Sequence, residues 1–256
     1  MQVKVPLQLL HGAMHMRNIW RNGKADLIDR LRDLAMKQTP AHDNYNPDLL
    51  ALIPKDSKRL VEVGCSSGAL AKAFKQINQA CHYTGIEIDA GYTELSKRHC
   101  DAVLNASIED LSQASFNALL PVDCWIFGDT LEHLNDPWSM LTRIRDQASS
   151  ESSIVACIPN SQHWSLQARL NCGQFRYEDV GLLDRTHLRF FTKTTMIEMF
   201  ESTGFRIVEG KPRFSDEPTI EILEAIKMMA IAIGADPDQA ASDAIPLQHV
   251  IRAVPA

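Results

Sequence analysis

Four residues are typed and spaced to hold a small polar ligand. Glu62, Gly64, Gly68 and Glu87 lie in the runs Leu60-Val61-Glu62-Val63-Gly64-Cys65-Ser66-Ser67-Gly68 and Gly85-Ile86-Glu87-Ile88-Asp89. β-rich residues lead into Gly64 and helical spacing follows from Leu70, so the glycines mark a strand-to-helix turn. Gly64 permits the tight turn, and Gly68 lets the helix start close to strand and ligand. A nicotinamide or flavin fingerprint needs glycine at 64, 66 and 69, where this chain has Gly64, Ser66 and Ala69. Glu62, an acid just before the loop, opposes a pyrophosphate and suits a cationic amino group. Glu87 closes the next strand, where a carboxylate accepts the hydroxyls of a ribose. A ligand with a ribose, an ammonium group and no phosphate is S-adenosylmethionine, with S-adenosylhomocysteine as its demethylated product.

The same segments resemble the class I S-adenosylmethionine-dependent methyltransferases. VEVGCSSG is similar to their first motif, which would put Gly64, Cys65, Ser66 and Gly68 against the cofactor, with Ser66 where the middle glycine usually lies. GIEID is similar to the second motif, with Glu87 and Ile88 on the ribose side. NASIEDL places Ser107 and Ile108 beside the adenine. FGDTLEHLNDP resembles the loop of the ubiquinone-biosynthesis type, with Gly128 and Thr130 near the methionine moiety and Glu132-His133 facing the substrate. Gly173–Tyr177 and Gly181–Thr192 resemble a segment of bacterial methyltransferases of glycan pathways. Asn44–Leu50 resembles their lead-in, in which Tyr45 covers the cofactor. The likeness runs from Tyr45 to Arg213.

Methyl transfer requires a nucleophile held in line with a sulfonium methyl, and a hydroxyl acceptor must also lose a proton. His133 and His187 are the candidate bases, and Asp129 could orient one of them or hold the cofactor's amino end. His133 reads equally as a histidine bonded to local backbone, and His187 as part of an ion-pair cluster that pins a loop. His163, Arg176, Tyr177, Arg185 and Arg189 are the substrate-side candidates; the arginines suit a phosphate or carboxylate, although Glu178 and Asp179 offer solvated partners. Tyr177 and Trp164 could stack on a sugar ring or simply pack. His11 and His15 have metal-binding spacing but no acidic or cysteine partner nearby, so no metal is expected.

Strands are expected at 59–63, 83–88, 102–105, 122–127, 153–158, 205–210 and 247–253, alternating with helices. This predicts a Rossmann-like α/β fold: a doubly wound, seven-stranded, mainly parallel sheet whose last strand runs antiparallel beside the sixth. Residues 1–57 read as a helical N-terminal extension or lid, with Ile19, Leu27, Leu31 and Leu34 at helical spacing. Residues 58–256 form the main domain, with an acceptor-side insertion and lid over 160–191. Asp136 and Pro137 start a helix presenting Trp138, Leu141 and Ile144; Thr192 caps another ending at Gly204. A helix over 218–234, covering a sheet face or a dimer side, reads as holding Met228 and Met229 in the core.

The chain has 256 residues, 45% hydrophobic and 23% charged, with a net charge of −6, which disfavours a nucleic-acid partner. Six cysteines without C-x-x-C pairing, and no signal or membrane-length apolar run, suggest a soluble cytoplasmic protein. The expected activity is O-methylation of a small molecule or glycan precursor, and the chain could act as a homodimer. The alternatives are N- or C-methylation, or a cofactor-binding pseudoenzyme that partners a glycosyltransferase.

Overall fold

In the computed structural model, residues 44–256 are described. Most of the expected N-terminal extension, including His11, His15 and Ile19–Leu34, lies outside them. The strands are β1 (Arg59–Val63), β2 (His82–Glu87), β3 (Ala102–Asn105), β4 (Cys124–Gly128), β5 (Ser153–Pro159), β6 (Phe205–Arg213) and β7 (Gln248–Pro255). They form one sheet in the order β3-β2-β1-β4-β5-β7-β6. β1 to β5 pair in parallel, and β7 lies antiparallel between β5 and β6. This is the expected doubly wound sheet with its last strand reversed.

The parallel strands are apolar on both faces, which is why they read as continuous runs rather than alternating ones. Val61, Val63, Phe127, Ile154 and Ala156 pack into one layer, Leu60, Tyr83, Ile126 and Val155 into the other. The helices are α1 (Pro47–Leu52), α2 (Ala69–Ile77), α3 (Ala90–Ser96), α4 (Gln113–Asn117), α5 (Pro137–Arg145), α6 (Trp164–Asn171), α7 (Lys193–Ser202), α8 (Ile220–Ala232) and α9 (Pro237–Asp243). Asp136 caps α5 by accepting from the Ser139 N–H, with Pro137 in the first turn. Thr192 caps α7 in a reciprocal box with Thr195. Buried Leu49 and Leu52 seat α1 on the β5–β7 side of the sheet.

Several elements differ from expectation. α5 buries Met140, Leu141 and Ile144 but leaves Trp138 at its rim against Phe191, with ring centroids 5.8 Å apart. β6 runs to Arg213 because it pairs with β7 along its whole length, through an irregularity between Ile207 and Glu209. α6 stands inside the 160–191 insertion, for which no helix is expected from the sequence, and α9 follows α8. Met228 and Met229 are exposed, not core; α8 is mostly apolar apart from Glu221, Glu224 and Lys227, yet buries only Ile226 and Ala230.

β1 is flanked by β2 on one side and β4 on the other, so the chain leaves it in opposite directions. Ligands of open α/β sheets bind at this crevice, beyond the carboxyl ends of the strands. The turns after β1, β2 and β4 meet there.

Candidate active site

The turn after β1 is built for close approach. Gly64, Ser66 and Gly68 all take positive φ, at 73°, 47° and 79°. Glu87, at the end of β2, is 4% exposed. One of its oxygens accepts the Ser66 N–H at 2.8 Å and the other the Asp89 N–H at 2.9 Å. Each oxygen keeps a lone pair, so the carboxylate ties the turn to β2 and still has capacity for a vicinal diol. Ile88 beside it leaves 51% of its surface open, an apolar face next to a polar clamp. Thr130 braces the turn from β4: its hydroxyl donates to the Val63 carbonyl at 2.9 Å, and a Cβ on Gly64 would meet its oxygen at 2.9 Å.

A second group of side chains gathers at the end of β4. Asp129 takes a left-handed φ of 54° and opens into the crevice. Gln248 donates to it at 2.5 Å, and the surrounding protein pushes its carboxyl up to about 6 by desolvation. The following 3-10 turn, Leu131–His133, buries Glu132 to 1% exposure. The segment 182–191 folds over this turn: the Leu188 and Arg189 N–H groups both donate to the Glu132 carbonyl. His133 and His187 thereby meet edge to face, with ring centroids 4.8 Å apart. The Nδ1 of His133 lies 3.1 Å from both the carbonyl and the hydroxyl of Thr186, whose hydroxyl itself donates to Asp184. Both Thr186 oxygens therefore accept from Nδ1–H, and Nε2 keeps a free lone pair. Burial lowers the basicity of both imidazoles, so both are neutral near pH 7.

A family model described as a methyltransferase domain matches residues 35–210, more than half of the chain. The chain belongs to this methyltransferase family. A ribosomal protein L11 methyltransferase of Campylobacter hominis is 32% identical over 114 residues, which cover 41% of this chain and 38% of that relative. The magnesium protoporphyrin IX methyltransferase of Synechocystis PCC 6803, solved with S-adenosylhomocysteine, has a TM-score of 0.54 at 11% identity, over 96% of this chain and 95% of that one. An S-adenosylmethionine-dependent methyltransferase of Thermotoga maritima has a TM-score of 0.51 at 15% identity, covering 81% and 86% of the two chains. At these identities the solved structures speak for the fold.

S-adenosylmethionine is the cofactor of this methyltransferase, and the turn after β1 with Glu87 and Ile88 could take its ribose and base. Other expected contacts need correction. The Cys65 side chain turns away from the crevice and is 3% exposed, because Gly85 on β2 leaves room for it; a Cβ on Gly85 would meet its sulfur at 2.5 Å. Only the Cys65 backbone remains at the turn. Glu62 is buried and accepts the Tyr83 hydroxyl at 2.9 Å, and desolvation raises its pKa well above the carboxylate range. That makes it an internal brace rather than an open ammonium site. Ser107 caps a short 3-10 turn through the Glu109 N–H, and Ile108 is buried beneath it. Gly128 lies against Leu49, and Tyr45, just before α1, is 44% exposed.

Of the substrate-side candidates, His163 is buried and caps α6, its Nδ1 2.8 Å from the Ser165 hydroxyl, and does not line the crevice. Arg185 pairs with Asp179 at 2.6 Å, and Arg189 donates to the carbonyls of Asn135 and Leu188. Both fasten the 160–191 segment. Trp164 is held by the Asp216 carbonyl at 3.2 Å. Arg176 and Tyr177 remain exposed near the tip of the segment. Glu132 and Thr186, absent from the expected catalytic set, are central to the cluster.

Ser66 is the one family departure with a backbone consequence. A left-handed non-glycine residue costs roughly 1 kcal/mol. Ser66→Gly should therefore raise unfolding stability by up to about 1 kcal/mol in a urea titration and leave cofactor affinity equal or tighter. A clear loss of stability would contradict the strain.

Proposed function

We propose that this methyltransferase methylates a hydroxyl of a small acceptor, a glycan precursor being the favoured class. The observation that carries this reading is the Glu132–His133–His187 cluster at the end of β4. An amine free base needs no proton removed before it attacks, whereas a hydroxyl does, and two neutral imidazoles under a folded segment suit that demand. S-adenosylmethionine supplies a methyl on sulfonium: the C–S bond breaks as the O–C bond forms, and a neutral thioether leaves. The protein's part is to place the acceptor oxygen in line and take its proton. Exposed Arg176 and Tyr177 would meet the distal, anionic or ring portion of the acceptor. Five buried, unpaired cysteines and exposed, free Cys172 support a reducing, cytoplasmic setting; no helix among the described residues is long and apolar enough to cross a membrane.

The L11 methyltransferase match supports a second reading, a protein acceptor, over the 38% of that relative that is matched. Methyl-labelled cofactor offered to sugar nucleotides, hydroxylated aromatics, amines and ribosomal protein separates the two. Mass spectrometry should find an O-methyl ether on a hydroxylated acceptor. Label confined to nitrogen would refute the hydroxyl reading.

A further inference from the structure

Glu132 poses a physical problem. It is 1% exposed, and neither carboxyl oxygen has a hydrogen-bond partner. Burying such a group unsatisfied is costly, and the two N–H groups on its own carbonyl fix the turn that carries it. Nε2 of His187 lies 4.0 Å from Oε1. One ligand-type atom from each of Glu132, His133 and His187 lies within 4.8 Å of the other two. The His133 imidazole is also anchored from behind, its Nδ1 held by Thr186. Metal-binding histidines are oriented in this way, one ring nitrogen tied to a carbonyl and the other free.

We propose that Glu132, His133 and His187 bind a divalent transition-metal ion on the acceptor side of the crevice. Two imidazoles and one carboxylate favour zinc or a neighbouring first-row ion over magnesium or calcium, which seek all-oxygen shells. Ligands about 2.1 Å from a common ion lie at most ~4.2 Å apart, so the three side chains need close in by less than ~1 Å. Such an ion would satisfy the orphaned carboxylate and keep open positions for an acceptor. On the hydroxyl-methylation reading, on which this role rests, the acceptor oxygen takes one such position. With both imidazole lone pairs on the ion, the ion takes over from the free imidazoles the task of easing loss of the proton: the O–H bond breaks more easily, its proton passing to water in the crevice as the O–CH3 bond forms and the S–CH3 bond breaks. Sequence spacing alone does not anticipate this trio, because His187 joins Glu132 and His133 only through the fold.

The test uses the full chain with Cys172→Ser, which removes the exposed thiol as a rival ligand. After chelation and dialysis, cobalt(II) is titrated and followed by its visible absorption, with zinc competition. Calorimetry with S-adenosylhomocysteine is run on the same samples. One ion per chain is expected. His187→Ala and Glu132→Gln should each weaken its binding by at least about a hundredfold while S-adenosylhomocysteine still binds, which also shows that the variants fold. No stoichiometric cobalt binding, or binding untouched by His187→Ala, overturns the site. Methylation of a hydroxyl by a metal-free chain would then stand by itself, whereas metal binding in a chain that methylates only nitrogen would sink the functional reading and leave the site.

Discussion

Replacing His187 by alanine should slow the chemical step by about 10²–10⁴-fold while leaving cofactor affinity within about twofold, and His133→Ala should do the same. The expectation rests on position. Both imidazoles sit on the end of β4 and the segment folded over it, apart from the turn after β1 that fits the cofactor. Single-turnover transfer on the hydroxylated acceptor, with S-adenosylhomocysteine calorimetry alongside, separates the two readouts. A variant that loses cofactor affinity and rate together would show that the pair merely holds the crevice in shape. The unequal burial of the cluster suggests a division of labour: Glu132 and His187 are shielded, with side chains 2% and 7% exposed, while His133 is only half-buried.

Glu87→Ala should weaken binding of S-adenosylmethionine and its product by about 1–3 kcal/mol, or roughly 5–150-fold. The carboxylate has two tasks there. It would meet the ribose hydroxyls, and it holds the Ser66 and Asp89 N–H groups that set the turn. Glu87→Gln preserves the shape but removes the charge and one acceptor oxygen, so an intermediate loss is expected. Calorimetry with S-adenosylhomocysteine reads both directly. Affinities within twofold of the parent chain would remove Glu87 from the cofactor site.

The strand, turn and helix that frame the cofactor side are legible in the sequence because their information is local. A β-rich run, a glycine turn and a helical period are contiguous from Leu60 to Ile77, and Glu87 closes the next strand. Side-chain direction within the turn is not local. Cys65 points inward because Gly85, on another strand, vacates the space, and Glu62 faces Tyr83 for a similar cross-strand reason. The acceptor half is harder to read. Glu132 and His187 are brought together by backbone bonds from Leu188 and Arg189, which no spacing rule anticipates. The weak periodicity of α6 hides the role of His163 as the cap of that helix. Met228 and Met229 show the opposite case: a mostly apolar helix implies burial, yet most of α8 faces solvent.

The central claim is that His133 and His187 act as one device on the acceptor. Groups that work as a unit lose their function at the first removal, so their effects do not add. The measurement is the single-turnover methyl-transfer rate of the His133→Ala/His187→Ala double variant against both single variants, with cofactor saturating. The account predicts that the double variant falls to the same floor as the more damaged single one. Losses that multiply, or a double variant that transfers methyl at nearly the parent rate, would contradict it.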